Sequence, residues 1–230
     1  MGDVHRRLIA FDLDGTLVDS RRDLADAANQ LITELGGTPV AEEAVGDMVG
    51  EGARLLVTRA LRAAGLGAHA EGATLFQRLA RFLEIYDRRL LHHTKPYAGI
   101  VQALTAAKPH ARLAVLTNKP TRATEAVLDG LGLRAFFDEV VGGDGEWPRK
   151  PDPAGLQHLI EHAGATPAGT MLVGDSAIDH ETAGRAGVRC CLATYGFGYL
   201  SFPADRLTGN EWIVRTPSDL MEVFEAFRAA

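Results

Sequence analysis

Short apolar runs that stop abruptly at polar residues recur along this chain. Leu8–Phe11 ends at Asp12, Leu113–Leu116 at Thr117, Glu139–Val141 at Gly142, and Thr170–Val173 at Gly174. Two more runs follow, Arg189–Ala193 and Trp212–Val214. Runs of this length bounded by turn residues read as buried strands. Helical spacing fills the gaps, over Ile100–Ala107, from Pro120 to Leu131, over Ala154–Ala163 and over Ile178–Ala186. Ser218 is a plausible N-cap for a last helix reaching Ala229.

Residues 20–94 break this alternation. Arg21–Leu35 carries Leu24, Ala27, Ala28, Leu31 and Leu35 on one helical face, and Gly36-Gly37 ends it. Helices are then predicted over Ala41–Met48, Ala53–Ala64 and Ala70–Leu91. Strands alternating with helices predict an α/β fold, a Rossmann-like doubly wound parallel sheet. The all-helical block follows the first strand, so it reads as an insertion. The expected division is a core of residues 1–19 and 95–230 and a helical cap of 20–94. A cap leaving the ligand-binding edge of the sheet can act as a lid.

Composition narrows the class. Hydrophobic residues make up 46% and charged residues 23% of 230, ordinary for a globular chain. The net charge of −6 argues against broad nucleic-acid binding. No apolar stretch approaches a membrane span. The charged start at residues 1–7 shows no signal-peptide pattern, so a cytoplasmic protein is expected. Cys190 and Cys191 are adjacent and form no disulfide framework. Nothing here speaks to oligomeric state.

The chemistry lies where the strands end. Asp12 and Asp14 follow the first run, Thr117 and Asn118 the second, Lys150 the loop after the third, and Asp175, Ser176 and Asp179 the fourth. In a parallel sheet those ends share one edge, so the groups can converge. Each has a plainer reading alone, as a turn residue, a helix cap or a solvated charge. Two carboxylates at one strand end suit a metal site, a nucleophile with its acid/base, or both. Asp12, Asp14 and Asp175 together suit a hard divalent cation, and Mg2+ fits because it accepts carboxylates, waters and phosphate oxygens.

Asp12-Leu13-Asp14-Gly15-Thr16, Thr117-Asn118, Lys150 before Pro151-Asp152-Pro153, and Gly174-Asp175-Ser176 with Asp179 resemble the four motifs of the haloacid dehalogenase-like hydrolase superfamily. The insertion lies where subclass I members carry their cap. Leu116-Thr117-Asn118-Lys119-Pro120, Gly142-Gly143-Asp144 and the cap stretch Val49–Val57 are more narrowly similar to the bacterial phosphoglycolate phosphatases. The resemblance implies Asp12 as nucleophile, Asp14 as acid/base, and catalytic support from Thr117 and Lys150. It implies Mg2+ held by the Asp12 and Asp175 side chains and the Asp14 carbonyl, with Ser176 and Asp179 behind those ligands. It also implies a small phosphorylated metabolite as substrate, most simply 2-phosphoglycolate, with a sugar phosphate or pyrophosphate as alternatives. A mutase is a weaker reading, since the first cap helix lacks a His. A non-catalytic binding module is another, against which the intact motifs speak.

A substrate carboxylate calls for a cationic or N–H-rich cap loop. Gly52 and Arg54 are the candidates there, beside Asn118 in the core. For Arg54 a surface charge on a helix is the competing reading. His158 and His162 match a zinc-protease spacing, but their helix is expected outside the sheet, away from the strand ends.

Overall fold

A computed structural model of the chain describes residues 6–229; the charged segment 1–5 lies outside them. The elements are β1 (Arg6–Phe11), β2 (Val18–Asp19), α1 (Arg21–Glu34), α2 (Glu42–Gly46), α3 (Ala53–Ala63), α4 (Gly72–Asp87) and β3 (Lys95–Pro96). Then come α5 (Ile100–Ala107), β4 (Arg112–Leu116), α6 (Thr121–Gly130), β5 (Glu139–Val141), α7 (Ala154–Ala163), β6 (Ala165–Gly174), α8 (Ala177–Ala186), β7 (Arg189–Ala193), β8 (Trp212–Val214) and α9 (Leu220–Ala229).

Six strands form one parallel sheet in the order β5-β4-β1-β6-β7-β8. Side chains alternate between its faces, as a pleated strand requires. Ile9, Phe11, Leu113, Val115, Met171 and Val173 pack with Ile100, Leu104 and Phe224 on one face. Leu8, Ala10, Ala114, Leu116 and Leu172 pack with Leu156, Leu159 and Ala183 on the other. Both faces are covered, which is why these strands are continuous apolar runs and not alternating ones. Cys191 and Cys190 follow the same rule, each entering the core of a different face. The fold is therefore the Rossmann-like doubly wound sheet expected from the sequence.

The helices α1 to α4 bury their apolar stripes against one another. Leu24, Ala28 and Leu31 meet Leu56, Leu61, Phe82, Ile85 and Tyr86 in a separate core. The chain enters and leaves this unit through an antiparallel ribbon, with Val18 opposite Pro96 and Asp19 opposite Lys95. Two-residue strands leave no periodic signature, so sequence pattern did not announce the ribbon. Asp23, fully buried in α1, ties the exit down. Its Oδ2 accepts from the His93 N–H (2.9 Å), the Thr94 N–H (2.8 Å) and the Thr94 hydroxyl (2.7 Å).

Two expectations are corrected. The helix predicted over Ala70–Leu91 spans only Gly72–Asp87, because the chain must turn back there to reach the ribbon. The last helix is entered through a 3-10 turn, Pro217–Asp219, capped by Thr216 and not by Ser218. The Thr216 hydroxyl and N–H both donate to the Asp219 carboxylate, at 2.9 and 3.0 Å. That reciprocal box outcompetes a single Ser hydroxyl.

Candidate active site

Backbone ladders set the strand ends. The Asp12 N–H donates to Val173 O at 2.9 Å, and the Thr117 N–H to Val141 O at 3.0 Å. Each carries its strand one residue beyond its apolar run, to the edge where the chemistry-bearing side chains start. Strand order diverges on either side of β1, so a crevice opens at that edge.

On the floor of the crevice, Lys150 Nζ lies 2.9 Å from Asp12 Oδ1 and 2.6 Å from Asp179 Oδ1. Carboxylate oxygens of Asp12, Asp175 and Asp179 all lie within 4.8 Å of one another, and all three residues are buried. Burial lifts the Asp12 carboxyl to about 6, against the pull of the Lys150 ammonium and with the push of Asp179. Burial, with Asp12 and Asp179 nearby, also raises Asp175 well above the usual carboxylate range. Burial alone would depress Lys150, but the Asp12 and Asp179 carboxylates outweigh it and keep the ammonium charged.

Asp175 is held in a glycine cradle. The Gly198 N–H donates to its Oδ2 at 2.7 Å. Gly15 has φ +92°, and a Cβ there would fall 2.0 Å from Asp175 Oδ2. A Cβ at Gly196 would fall 2.4 Å from the same oxygen. The loop after β7 therefore closes over Asp175 only because these positions lack side chains. Asp179 completes a capping box with Ser176 at the start of α8 and also faces Lys150 directly.

Asp14 turns away from this group. Its Oδ1 accepts from the Ser20 hydroxyl at 2.5 Å, and Lys119 Nζ lies 2.9 and 3.1 Å from its two oxygens. Lys119 Nζ also donates to the Tyr86 hydroxyl from α4, at 2.5 Å. Burial holds the Tyr86 phenol up at about 12, so it stays protonated. Burial would depress Lys119, but Asp14 and the Tyr86 oxygen outweigh it and keep it cationic.

Above these groups a cleft of about 50 Å³ opens between sheet and cap, lined by Asp12, Asp14, Thr117, Asn118, Lys119, Gly52 and the apolar cap residues Leu24, Val49, Leu56 and Phe82. Asn118 knits its sides together: its amide donates to Gly50 O at 2.8 Å and to Lys150 O at 2.9 Å. The Thr117 hydroxyl oxygen accepts the Lys119 N–H at 3.2 Å. Arg54 is not brought into the cleft. It is exposed, stands over the Phe76 ring at 6.0 Å, and borders a neighbouring groove with Arg149 and Lys150. His158 and His162 face Glu139 at 2.6 and 2.5 Å, at the opposite end of β5 from the crevice.

Sequence reasoning did not single out Lys119, Tyr86 or Ser20. Lys119 had a signal: it directly follows Thr117-Asn118 at a strand end. Tyr86 had none, being one apolar-face residue of a cap helix.

The family model described as haloacid dehalogenase-like hydrolase matches residues 9–193. A phosphoglycolate phosphatase of Pseudomonas putida is 41% identical over 195 residues, covering 84% of this chain and 71% of that protein. One of Rhodospirillum rubrum is 44% identical over 194 residues, covering 83% and 80%. The crystal structure of a predicted phosphoglycolate phosphatase from Haemophilus somnus superposes with a TM-score of 0.87 at 32% identity, over 96% of this chain and 99% of that one. With four motif segments gathered at one sheet edge under a helical cap, the chain belongs to the haloacid dehalogenase-like hydrolase family, as an enzyme of its phosphatase branch.

Proposed function

We propose that the enzyme hydrolyses 2-phosphoglycolate to glycolate and phosphate, with Mg2+ and through an aspartyl-phosphate on Asp12. The observation that carries this reading is the division of labour between the two aspartates. Asp12 faces an acidic group with one lysine, while Asp14 faces the cleft with a lysine and a serine of its own.

The floor suits a divalent cation. Three buried carboxyl groups meet a single ammonium there, and the raised Asp12 and Asp175 carboxyls reflect that shortage of positive charge. The donors are all oxygens, as Mg2+ prefers. Asp12, Asp175 and the Asp14 carbonyl are the residues proposed to hold it, with Asp179 and Ser176 supporting them. When bound, the ion supplies the positive charge that lets an anionic phosphate approach a carboxylate.

The chain's own groups then act in order. An Asp12 oxygen attacks phosphorus as the bond to the leaving alkoxide breaks. Asp14 gives that alkoxide its proton, then takes one from the water that attacks the aspartyl-phosphate. Phosphate leaves and Asp12 is regenerated. Lys150 holds Asp12 in place and offsets charge on the phosphate. The Thr117 hydroxyl and the Asn118 backbone N–H donate to phosphate oxygens. The apolar cap wall keeps bulk water from the intermediate. A small cleft and relatives named for phosphoglycolate support the substrate assignment.

Phosphate release across a panel of phosphorylated metabolites, with Mg2+ and with EDTA, tests it. The expected result is the highest kcat/KM for 2-phosphoglycolate and loss of activity with EDTA. A sugar phosphate or pyrophosphate leading the panel would overturn the substrate. Full activity in EDTA would overturn the metal.

A further inference from the structure

Among the described residues, Lys119 is the one cationic side chain lining the cleft. It is 6% exposed, and much of the wall near it is apolar, including Leu24, Val49 and Phe82. A buried ammonium in such a wall is costly unless it is paired. Here Asp14 and the Tyr86 hydroxyl pair it, the first from the core and the second from the cap. Lys150 does not line this cleft but lies on the floor between Asp12 and Asp179. Arg54 stands outside.

In 2-phosphoglycolate a single methylene separates the ester oxygen from the carboxylate. A group that reads that carboxylate must therefore stand beside the acid that protonates the ester oxygen. Lys119 meets this condition, since its ammonium touches both oxygens of Asp14.

We propose that Lys119 is the specificity residue that binds the substrate's carboxylate, inside a cleft closed by Tyr86. The inference rests on the phosphoglycolate reading above. An ammonium has three N–H donors. Tyr86 takes one, and an entering carboxylate competes for one of the two directed at Asp14. Because Tyr86 belongs to α4, the ammonium has both its partners only with the cap over the core.

The test compares kcat/KM for 2-phosphoglycolate with that for ethyl phosphate, which has a similar leaving group and no carboxylate. Lys119→Met removes the charge, and Lys119→Gln removes it while keeping a donor for Asp14, so the experiment survives if the first variant does not fold. The expected result is a fall of about 10- to 100-fold in the ratio of the two substrates, the size of one lost charged hydrogen bond. Lys119→Arg, which keeps the charge, should recover part of it. If wild type discriminates and the neutral variants lose both activities in parallel, the proposal is overturned and Lys119 only holds Asp14. If wild type does not favour the carboxylate substrate, the phosphoglycolate reading falls and takes the proposal with it.

Discussion

Lys150 and Lys119 are both buried and both come from loops at the carboxyl edge of the sheet, yet their surroundings differ. Lys150 answers Asp12 and Asp179 with Asp175 close by, so acidic groups outnumber cationic ones. Lys119 answers Asp14 alone, and its remaining partner is the neutral phenol of Tyr86. The first arrangement suits the cation proposed above. The second is balanced within the protein and spans from the core to the cap. A buried excess of charge invites a ligand of opposite sign, whereas a balanced pair can be set to orient one.

The largest expected effect tests whether the acid-rich floor is the reaction centre. Asp12→Asn should lower kcat by at least about 1,000-fold, as loss of a nucleophile does. Turnover near wild type would remove the floor from the chemistry and break the comparison. Next comes stability. Lys150→Met leaves Asp12 and Asp179 without their ammonium and should cost about 3–5 kcal/mol, read as a denaturation midpoint without metal. Lys119→Met should cost less, since Ser20 still donates to Asp14. Mg2+ should recover part of the Lys150→Met loss, because a ligand that binds only the folded state stabilises it. Equal losses in the two variants, neither relieved by Mg2+, would erase the distinction between the lysines.

Tyr86→Phe sharpens the cap side. It deletes one buried hydrogen bond to the Lys119 ammonium, about 1.5–3 kcal/mol, so Tm should fall by about 3–12 °C in a chain of this size. An unchanged Tm would mean that the cap contributes nothing to holding the pair. The smallest effect concerns an acid that pairs with neither lysine. Glu211 accepts from His180 and from the Thr208 and Gly209 N–H groups. Burial pushes its carboxyl up, but these hydrogen bonds outweigh it and hold it down at about 2. A depressed acid adds stability above its ordinary value of 4.5, and that stability drains as pH falls toward 2. Glu211→Gln should therefore flatten the dependence of Tm on pH between 4.5 and 2. A slope as steep as wild type would assign acid sensitivity elsewhere, with the floor carboxylates the next place to look.

Much of the candidate site was legible in the sequence. Asp12, Thr117, Lys150 and Asp175 each follow an apolar run or its loop, and a parallel sheet gathers such ends by construction. The α/β core and the helical block were legible for the same reason, because periodicity is a property of near neighbours. Arg54 shows the limit. Its charge and loop position suited a substrate carboxylate, but the register of α3 turns it outward to Phe76. Asp179 shows another. Its spacing from Ser176 predicts a helix cap, and it makes one, but only packing against the Lys150 loop adds its second role.

The sequence by itself determined that carboxylates and a lysine would collect at one edge of a parallel sheet under a helical insertion. Strand length, turn residues and helical spacing are local, and they suffice for that. Only the tertiary structure decided that Asp12 and Asp14, two residues apart, face different partners. Asp14 meets Lys119 across 105 positions of chain, and Lys119 meets Tyr86 of the cap across 33. Where a buried side chain points is set by charge and space supplied from distant segments, and no local pattern encodes those.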